Sequence, residues 1–320
     1  MDKILVTGGA GFIGSSFIRH LLNNTNCTIV NLDKLTYAGH LNNIKDLRRE
    51  KRHKFVRGDI KDRKLVGSLV KKADAVVNFA AESHVDRSIK KPGIFVETNV
   101  LGVQVLLEAC RKFGVKFEQI STDEVYGSRL EGSSKETDIL DPSSPYSASK
   151  AAADLLVNAY HRTYNMEVVV TRSTNNYGRN QHPEKLIPRL ITNALRRKPL
   201  PIYGAGENIR DWIFVEDNCR AIHTVLEKGE GGQVYNIGGG NEKKNIEIAR
   251  EIVRRLSLPE TMIEFVSDRP GHDFRYSLDC EKTARLGWKP SVRFEDGLQE
   301  TIDWYVANKW WWRPLLGKGA

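Results

Sequence analysis

The run Ser121-Thr122-Asp123-Glu124-Val125-Tyr126-Gly127 sets two adjacent carboxyl groups beside two hydroxyls. Such a pair suits a reaction in which one group gives a proton and the other takes one, because neighbouring like charges push carboxylate pKa values apart. Alone, an Asp-Glu pair reads as a solvated turn, since carboxylates are mostly exposed. A second constellation changes that reading. Tyr146-Ser147-Ala148-Ser149-Lys150 opens an alanine-rich helical stretch running to about Tyr164, and four-residue spacing puts Tyr146 and Lys150 on one face. A free phenol has a pKa of about 10 and a nearby ammonium favours the phenolate, so Tyr146 is a candidate base near neutral pH.

These side chains need elements to hold them. Lys3 to Thr7 is a short β-branched run that feeds Gly8-Gly9-Ala10-Gly11-Phe12-Ile13-Gly14 and then an amphipathic stretch through Leu22. This is strand, glycine turn, helix: Gly8, Gly11 and Gly14 let backbone N–H groups approach a pyrophosphate, which then rests on the helix N-terminus. The next strand, Thr28 to Leu32, ends in Asp33, about twenty residues beyond the glycines, where a carboxylate accepts hydrogen bonds from both adenosine ribose hydroxyls. Asp33 would repel a 2′-phosphate, which favours NAD, although neighbouring Lys34 pulls the other way. Asp59-Ile60 follows the strand-like Phe55-Val56 and can flank the adenine. Ala73 to Phe79 reads as another parallel strand whose exit, Ala80-Ala81-Glu82-Ser83-His84, is small enough for a dinucleotide to lie flat. A lone loop histidine is more often structural, so His84 stays outside the expected catalytic set. Phe95 to Phe113 is a helical pattern carrying Thr98 and Asn99. Val115 to Ile120 reads as a buried strand, and in open α/β sheets ligands sit beyond the carboxyl ends of strands, where Asp123 and Glu124 fall. Pro142 and Pro145 stiffen the loop that follows, and Val168 to Arg172 delivers Asn175 and Asn176 to the same edge.

The pattern predicts an α/β fold: a Rossmann-type doubly wound parallel sheet with a smaller C-terminal α/β substrate domain. At 320 residues the chain has room for two lobes, because single cores stop growing near ~250 to 300 residues. From Arg179 onward it is punctuated by Pro183, Pro188, Pro199 and Pro201, around a helix at about Glu184 to Arg196 and a strand ending at Tyr203. Trp212 to Val215 and Gln233 to Ile237 are strand-like and are expected to return to the first lobe; Asn241 to Leu256 and Val292 to Ala307 are helical patterns of the second. The expected division is 1–178 with 211–238 as the NAD-binding domain, and 179–210 with 239–320 as the substrate domain. Trp310-Trp311-Trp312 fits burial against the second lobe or a subunit contact, since aromatics dominate cores and interfaces alike.

The formal net charge of +9 would suit nucleic acid, but Lys and Arg alternate with Asp and Glu, as in Asp46 to Lys54, which reads as a solvated surface. An anionic small substrate fits the same surplus. Cys27, Cys110, Cys219 and Cys280 lie far apart, without Cys-x-x-Cys or a histidine at ligand spacing, so neither zinc nor a disulfide framework is expected. No uninterrupted apolar run approaches the ~18 residues of a membrane span. The expectation is a cytoplasmic protein with no metal, membrane or nucleic-acid partner.

Taken over nearly its whole length, the sequence resembles the extended short-chain dehydrogenase/reductases, and among them the dTDP-glucose 4,6-dehydratases. The motifs that carry the resemblance include Thr7 to Gly14, Asp33 to Gly39, Ala80 to Ser88, Ser121 to Gly127, Tyr146 to Lys150, Asn175 to Gly178, His182 to Pro188, Arg210-Asp211-Trp212 and Asp268 to His272. Asp123-Glu124 is the specific part, because related sugar-nucleotide epimerases typically carry small or hydroxyl residues there. The resemblance implies NAD as cofactor, a nucleotide-sugar substrate (dTDP-glucose) and a homodimer. It implies Tyr146 as the base for oxidation at C4, supported by Lys150 and Thr122, with Glu124 removing the C5 proton and Asp123 protonating the departing C6 hydroxyl. To the cofactor set it adds Phe12, Ile13, Lys34, Thr36, Ser83 and Asn176. For the substrate it implies Ser83, Thr122, Asn175, Lys185, Leu186, Pro201, Tyr203, Arg210, Asn245, Arg269 and His272, five of which (Lys185, Arg210, Asn245, Arg269, His272) would sit at the nucleotide end. Without the resemblance those five read as ordinary surface donors. Alternatives within enzymes are a UDP-sugar 4,6-dehydratase and a UDP-glucose 4-epimerase. Outside them stand an NAD-sensing regulator, which has no need of the four reactive side chains together, and an RNA-binding protein, whose affinity would fall steeply with salt.

Overall fold

The computed structural model describes residues 1–316. Its first half alternates β1 (Lys3–Thr7), α1 (Phe12–Asn24), β2 (Thr28–Asp33), β3 (His53–Arg57), α2 (Arg63–Val70), β4 (Ala75–Asn78), α3 (Pro92–Phe113), β5 (Lys116–Thr122), α4 (Pro145–Tyr164) and β6 (Val168–Ser173). The second half runs β7 (Asn175–Tyr177), α5 (Leu186–Leu195), β8 (Leu200–Tyr203), β9 (Ile209–Phe214), α6 (Val215–Lys228), β10 (Gln233–Ile237), β11 (Glu242–Lys244), α7 (Asn245–Arg255), β12 (Ile263–Val266), α8 (Phe294–Ala307) and α9 (Lys309–Trp312).

Seven strands form one parallel sheet in the order β10-β6-β5-β4-β1-β2-β3. The order reverses between β1 and β4, and that switch opens a crevice at the carboxyl ends of the strands. Both faces are covered, so the central strands are apolar on both sides: β4 (AVVN) is buried at every position. One layer packs Phe17, Ile18 and Leu21 of α1 with Ile222 and Leu226 of α6 against Ile4 and Val6. The other packs Val66, Leu106, Val157 and their neighbours from α2, α3 and α4 against Leu5, Phe117 and Val170.

Local chemistry sets the ends of these elements. Gly8 has φ +70°, and a Cβ there would stand 2.6 Å from the Ala80 nitrogen, so this turn has to be glycine to lie against the exit of β4. α4 starts at a capping box: the Ser144 side chain accepts from Ser147 N, and Ser147 Oγ accepts from Ser144 N at 3.0 Å. Pro145 occupies the first helical turn, so this proline starts the helix and belongs to it, where the sequence suggested a loop. In α3 a π-helical segment, Val96–Leu101, carries Thr98 and Asn99. By length and composition α3 could cross a membrane, but half of its apolar window is buried in the fold, as in a core helix.

The second lobe has its own core, in which α5, α7, α8 and α9 enclose Leu190, Ile248, Leu298, Tyr305, Trp311 and Trp312. Here two readings need correction. Gln233–Ile237 joins the large sheet beside β6, as expected, but the strand containing Trp212 does not: β9 pairs with β7 and with β11 in a separate three-stranded sheet. Residues 242–244, read as the start of a helix, are the edge strand β11, antiparallel to β9. Pairing with a distant strand overrides the local helical pattern. Between β9 and β10, α6 packs on the first lobe.

Candidate active site

A cavity of about 370 Å³ opens along the carboxyl ends of the strands. At one end lie Gly8, Gly11, Phe12, Ile13 and Gly14, with Asp33, Lys34, Thr36, Asp59 and Ile60; Ala80, Ala81, Ser83 and Thr98 form the middle; Thr122, Asp123, Glu124, Tyr146 and Lys150 follow, with Asn175, Asn176 and Lys185 across from them. All the residues expected to touch a cofactor and all those expected to react line this one cavity. Leu186, Pro201, Tyr203, Arg210, Asn245, Arg269 and His272 do not line it. They belong to the second lobe, and two of them meet the first through Asp86: Tyr203 OH donates to Asp86 Oδ2 at 3.1 Å, and the Arg269 guanidinium lies 3.5 Å from Asp86 Oδ1. His272 packs edge-on to Tyr203 at 6.0 Å.

The dinucleotide end has the features such a ligand needs. Gly11 caps α1 without any side-chain acceptor, so the first backbone N–H groups of the helix are left for an anion. Gly14 admits the close approach, since a Cβ there would meet Gly8 O at 2.5 Å. Asp33 is held by backbone: Ala10 N donates to Oδ2 at 2.9 Å and Leu35 N to Oδ1 at 2.7 Å, each oxygen keeping a second lone pair. Lys34 is paired with Asp59 at 2.8 Å and is thus engaged by a carboxylate of the cavity wall. Asn176 Oδ1 is buried without a hydrogen-bond partner and belongs to a lining residue. These groups fit a dinucleotide bearing an unmodified ribose.

At the reacting end, β5 stops at Thr122 and a 3-10 turn carries Asp123–Tyr126. Thr122 Oγ1 donates to Asp123 Oδ1 at 3.1 Å and accepts from Glu124 N at 3.3 Å, which turns the two carboxyls into the cavity. Asp123 is buried and its Oδ2 has no partner; burial, then the Glu124 charge, push its carboxyl well above the usual range. Burial also raises Glu124, but Arg269, Lys185 and Arg210 oppose it. The Tyr146 phenol is raised well above its ordinary value by burial and by the Glu124 charge, with Thr122 acting the other way. This departs from the expected phenolate. The Lys150 ammonium donates to the Ile120 carbonyl, and burial brings it down to about 8.

Sequence reasoning passed over the support behind this strip. Asp154, one turn beyond Lys150, accepts from Ser121 Oγ at 3.0 Å and from Arg172 Nε at 2.9 Å; Arg172 also donates to Tyr126 OH at 2.7 Å. The network grips both ends of Ser121–Tyr126, and the four-residue spacing from Lys150 was the signal available for it. Gln181 was missed, and Glu82, His182 and Glu184, present in the sequence motifs but given no role there, also line the cavity. Glu184 binds Arg87 at 3.0 Å, and the Arg87 guanidinium stacks over Tyr37 at 3.7 Å. His84 caps the short helix Val85–Lys90 by accepting from Arg87 N. Among the described residues no group of three His, Cys, Asp or Glu side chains could hold a metal.

The family model described as GDP-mannose 4,6 dehydratase matches residues 5–301. The Low-salt glycan biosynthesis protein Agl12 of Haloferax volcanii is 52% identical, over 95% of this chain and 99% of that protein. The dTDP-glucose 4,6-dehydratase of Streptomyces niveus is 51% identical, over 98% of this chain and 95% of that one. Among solved structures, the dTDP-glucose 4,6-dehydratase DesIV of Streptomyces venezuelae, containing NAD, superimposes with a TM-score of 0.96 at 49% identity, covering 98% of this chain and 99% of its own.

Proposed function

The chain belongs to the GDP-mannose 4,6 dehydratase family, and from that premise we propose that it is an NAD-dependent dTDP-glucose 4,6-dehydratase, a lyase of deoxysugar biosynthesis. The observation that carries the reading is the pair Asp123 and Glu124, side by side in the cavity that also holds Tyr146 and Lys150. A 4-epimerase oxidises and reduces one carbon and needs no such pair. A dehydratase must take a proton from C5 and give one to the hydroxyl at C6, and these two carboxyls differ in the required sense.

The C5 proton of glucose is hardly acidic until C4 is a ketone, so the order of steps is set by chemistry. Tyr146 is assigned to take the C4 hydroxyl proton as hydride leaves C4, a role that needs its phenol ionised: burial and the Glu124 charge oppose ionisation, whereas Thr122 and the positive charge of a bound oxidised nicotinamide would favour it, and Lys150 lines the same cavity. NAD, when bound, accepts that hydride and returns it to C6, so the cycle has no net redox change. Glu124 then removes the C5 proton, its basicity held within reach by the cations around it. Asp123, whose hold on a proton burial strengthens, donates to the C6 hydroxyl, which leaves as water. A proton returned to C5 completes dTDP-4-keto-6-deoxy-glucose. Asn175, Lys185, Arg210, Asn245, Arg269 and His272 are assigned to the nucleotide sugar, where arginines can clamp a diphosphate bidentately.

We assign residues 1–178, with α6 and β10, to cofactor binding and the remainder to the sugar nucleotide. Homodimerisation is proposed through α3 and α4, which pack side by side and expose Val96 (51%), Leu101 (53%) and Leu155 (61%). Four unpaired cysteines support a reducing, cytoplasmic location. The test is product analysis with dTDP-glucose and UDP-glucose in parallel. A product from dTDP-glucose that absorbs in strong alkali, as 4-keto-6-deoxy sugars do, supports the reading; an epimer, or preference for the UDP sugar, overturns it.

A further inference from the structure

The three-tryptophan run near the carboxyl terminus ends far from the glycine turn in sequence, yet one of its members reaches it. Trp311 is buried in the second-lobe core, edge-on to Trp304 with ring centroids 5.0 Å apart, and its indole N–H donates across the lobes to Asn43 Oδ1 at 2.8 Å. Asn43 is 1% exposed and passes the contact on: its Nδ2 donates to the Ala10 carbonyl at 2.8 Å. Ala10 lies between two glycines of the turn, and its own N–H holds Asp33. The other faces of Asn43 are engaged as well, since its N–H donates to His40 O at 2.9 Å and its carbonyl accepts from Arg19.

A second arm leaves the same aromatic cluster. Tyr305, whose carbonyl accepts from Trp312 Nε1 at 2.7 Å, donates its hydroxyl to the Gln181 carbonyl; Gln181 lines the cavity and its Nε2 donates to Asn176 O at 2.8 Å. Through buried hydrogen bonds, α9 thus holds the turn at Ala10 by way of Trp311 and Asn43, and α8 holds Asn176 by way of the Tyr305 hydroxyl and Gln181, while the Trp312 bond ends on the Tyr305 carbonyl and runs to neither.

We propose that Trp311, acting through Asn43, is a positioning residue that clasps the glycine turn to the second lobe and thereby sets how slowly NAD leaves. Neither side chain lines the cavity, and their contact meets the turn at the Ala10 carbonyl, which also accepts from His40 N at 2.9 Å. The inference rests on NAD as the cofactor and is independent of which sugar the enzyme takes. A turn fixed from behind keeps its N–H groups aimed at the pyrophosphate; a released turn can swing away and let the dinucleotide go.

The experiment compares Trp311→Phe with Trp312→Phe. Each removes one buried indole N–H bond and keeps an aromatic ring, but only the first bond runs to the turn. Both variants are expected to melt at lower temperature. Holoenzyme passed into NAD-free buffer should lose NAD on the order of tenfold faster in Trp311→Phe than in wild type, equivalent to about 1.4 kcal/mol, while Trp312→Phe stays near wild type. Asn43→Leu, approached from the other end of the bond, should release NAD as Trp311→Phe does, and it carries the test if Trp311→Phe fails to fold. Equal release rates in Trp311→Phe and wild type, or equally fast release in both tryptophan variants, overturn the clasp. A wild-type protein that binds no NAD overturns the cofactor reading and the clasp with it, whereas rejection of dTDP-glucose leaves the clasp standing.

Discussion

Two adjacent carboxyls, one enclosed and one facing a cluster of cations, do not share a proton affinity. Asp123 lies in the more forbidding place, and the roles assigned to it and Glu124 make separate predictions. Glu124→Gln should still oxidise C4 but should not exchange the C5 hydrogen with solvent, because an amide cannot accept that proton. The check is deuterium at C5 after reaction in heavy water, and undiminished label would move the base elsewhere. Asp123→Asn keeps the shape and removes the transferable proton, so water elimination should slow by about 10² to 10⁴. Fluoride is a far weaker base than hydroxide and needs less protonation to leave. The same variant should therefore process a C6-fluoro analogue nearly as well as wild type; equal impairment on both substrates would mean that Asp123 positions the sugar or tunes Glu124. Tyr146→Phe should stop the cycle before any reduced nicotinamide absorbance appears, and a normal transient would exclude Tyr146 as the first base. Residue types and spacing made these groups visible in the sequence. Their charge states were not visible: the phenol of Tyr146 is pushed up by burial and by carboxylates that only the folded chain brings near, while Lys150 turns to a backbone carbonyl.

The elements that position the site end where local rules end them. A glycine turn, a capping box and a strand stopping at Thr122 are short-range features, and each could be read from a few residues. The partner of β9 could not, because pairing depends on strands remote in the chain, and the short edge strand β11 carries no pattern of its own. The contact between α1 and α6 belongs to the same illegible class. There His20 Nε2 lies 3.0 Å from His223 Nδ1, with Arg220 nearby and His223 3.3 Å from Glu227. Burial, then His223 and Arg220, lower His20 to about 4 from its ordinary 6.5. The folded imidazole thus stays neutral while the unfolded one takes up a proton, so this contribution to stability is full above pH 6.5 and is lost as pH falls toward 4. It should amount to on the order of 1 to 2 kcal/mol after allowance for solvent screening. His84, also lowered to about 4, acts in the same window, so the wild-type decline has at least two sources. His20→Gln should shallow the fall in melting temperature between pH 7 and 5 without abolishing it. An unchanged slope would show that the histidine pair does not titrate with unfolding.

At the scale of the molecule, aromatic density at Trp310–Trp312 left burial and subunit contact equally open, since both environments favour the same residues. The fold separates them: Trp311 and Trp312 are core, and Trp310 is half exposed, with the Lys45 ammonium 5.1 Å from its ring. A subunit surface is better sought on the opposite layer. Single exposed apolar residues are ordinary, but Val96, Leu101 and Leu155 stand on two helices of one layer that pack against each other. If two copies pair through this face about a twofold axis, each of these residues enters the interface twice. A carboxylate introduced there would be buried without a partner in both subunits, and breaking the balance of a buried charge costs about 3 kcal/mol or more, at least a hundredfold in Kd. Wild-type protein should therefore scatter light as a dimer and Leu155→Glu as a monomer. Leu155 does not line the cavity, so the variant should keep its bound NAD, which distinguishes loss of the interface from loss of the fold. A monomeric wild type, or a Leu155→Glu protein that remains dimeric at micromolar concentration, would put the contact on another face.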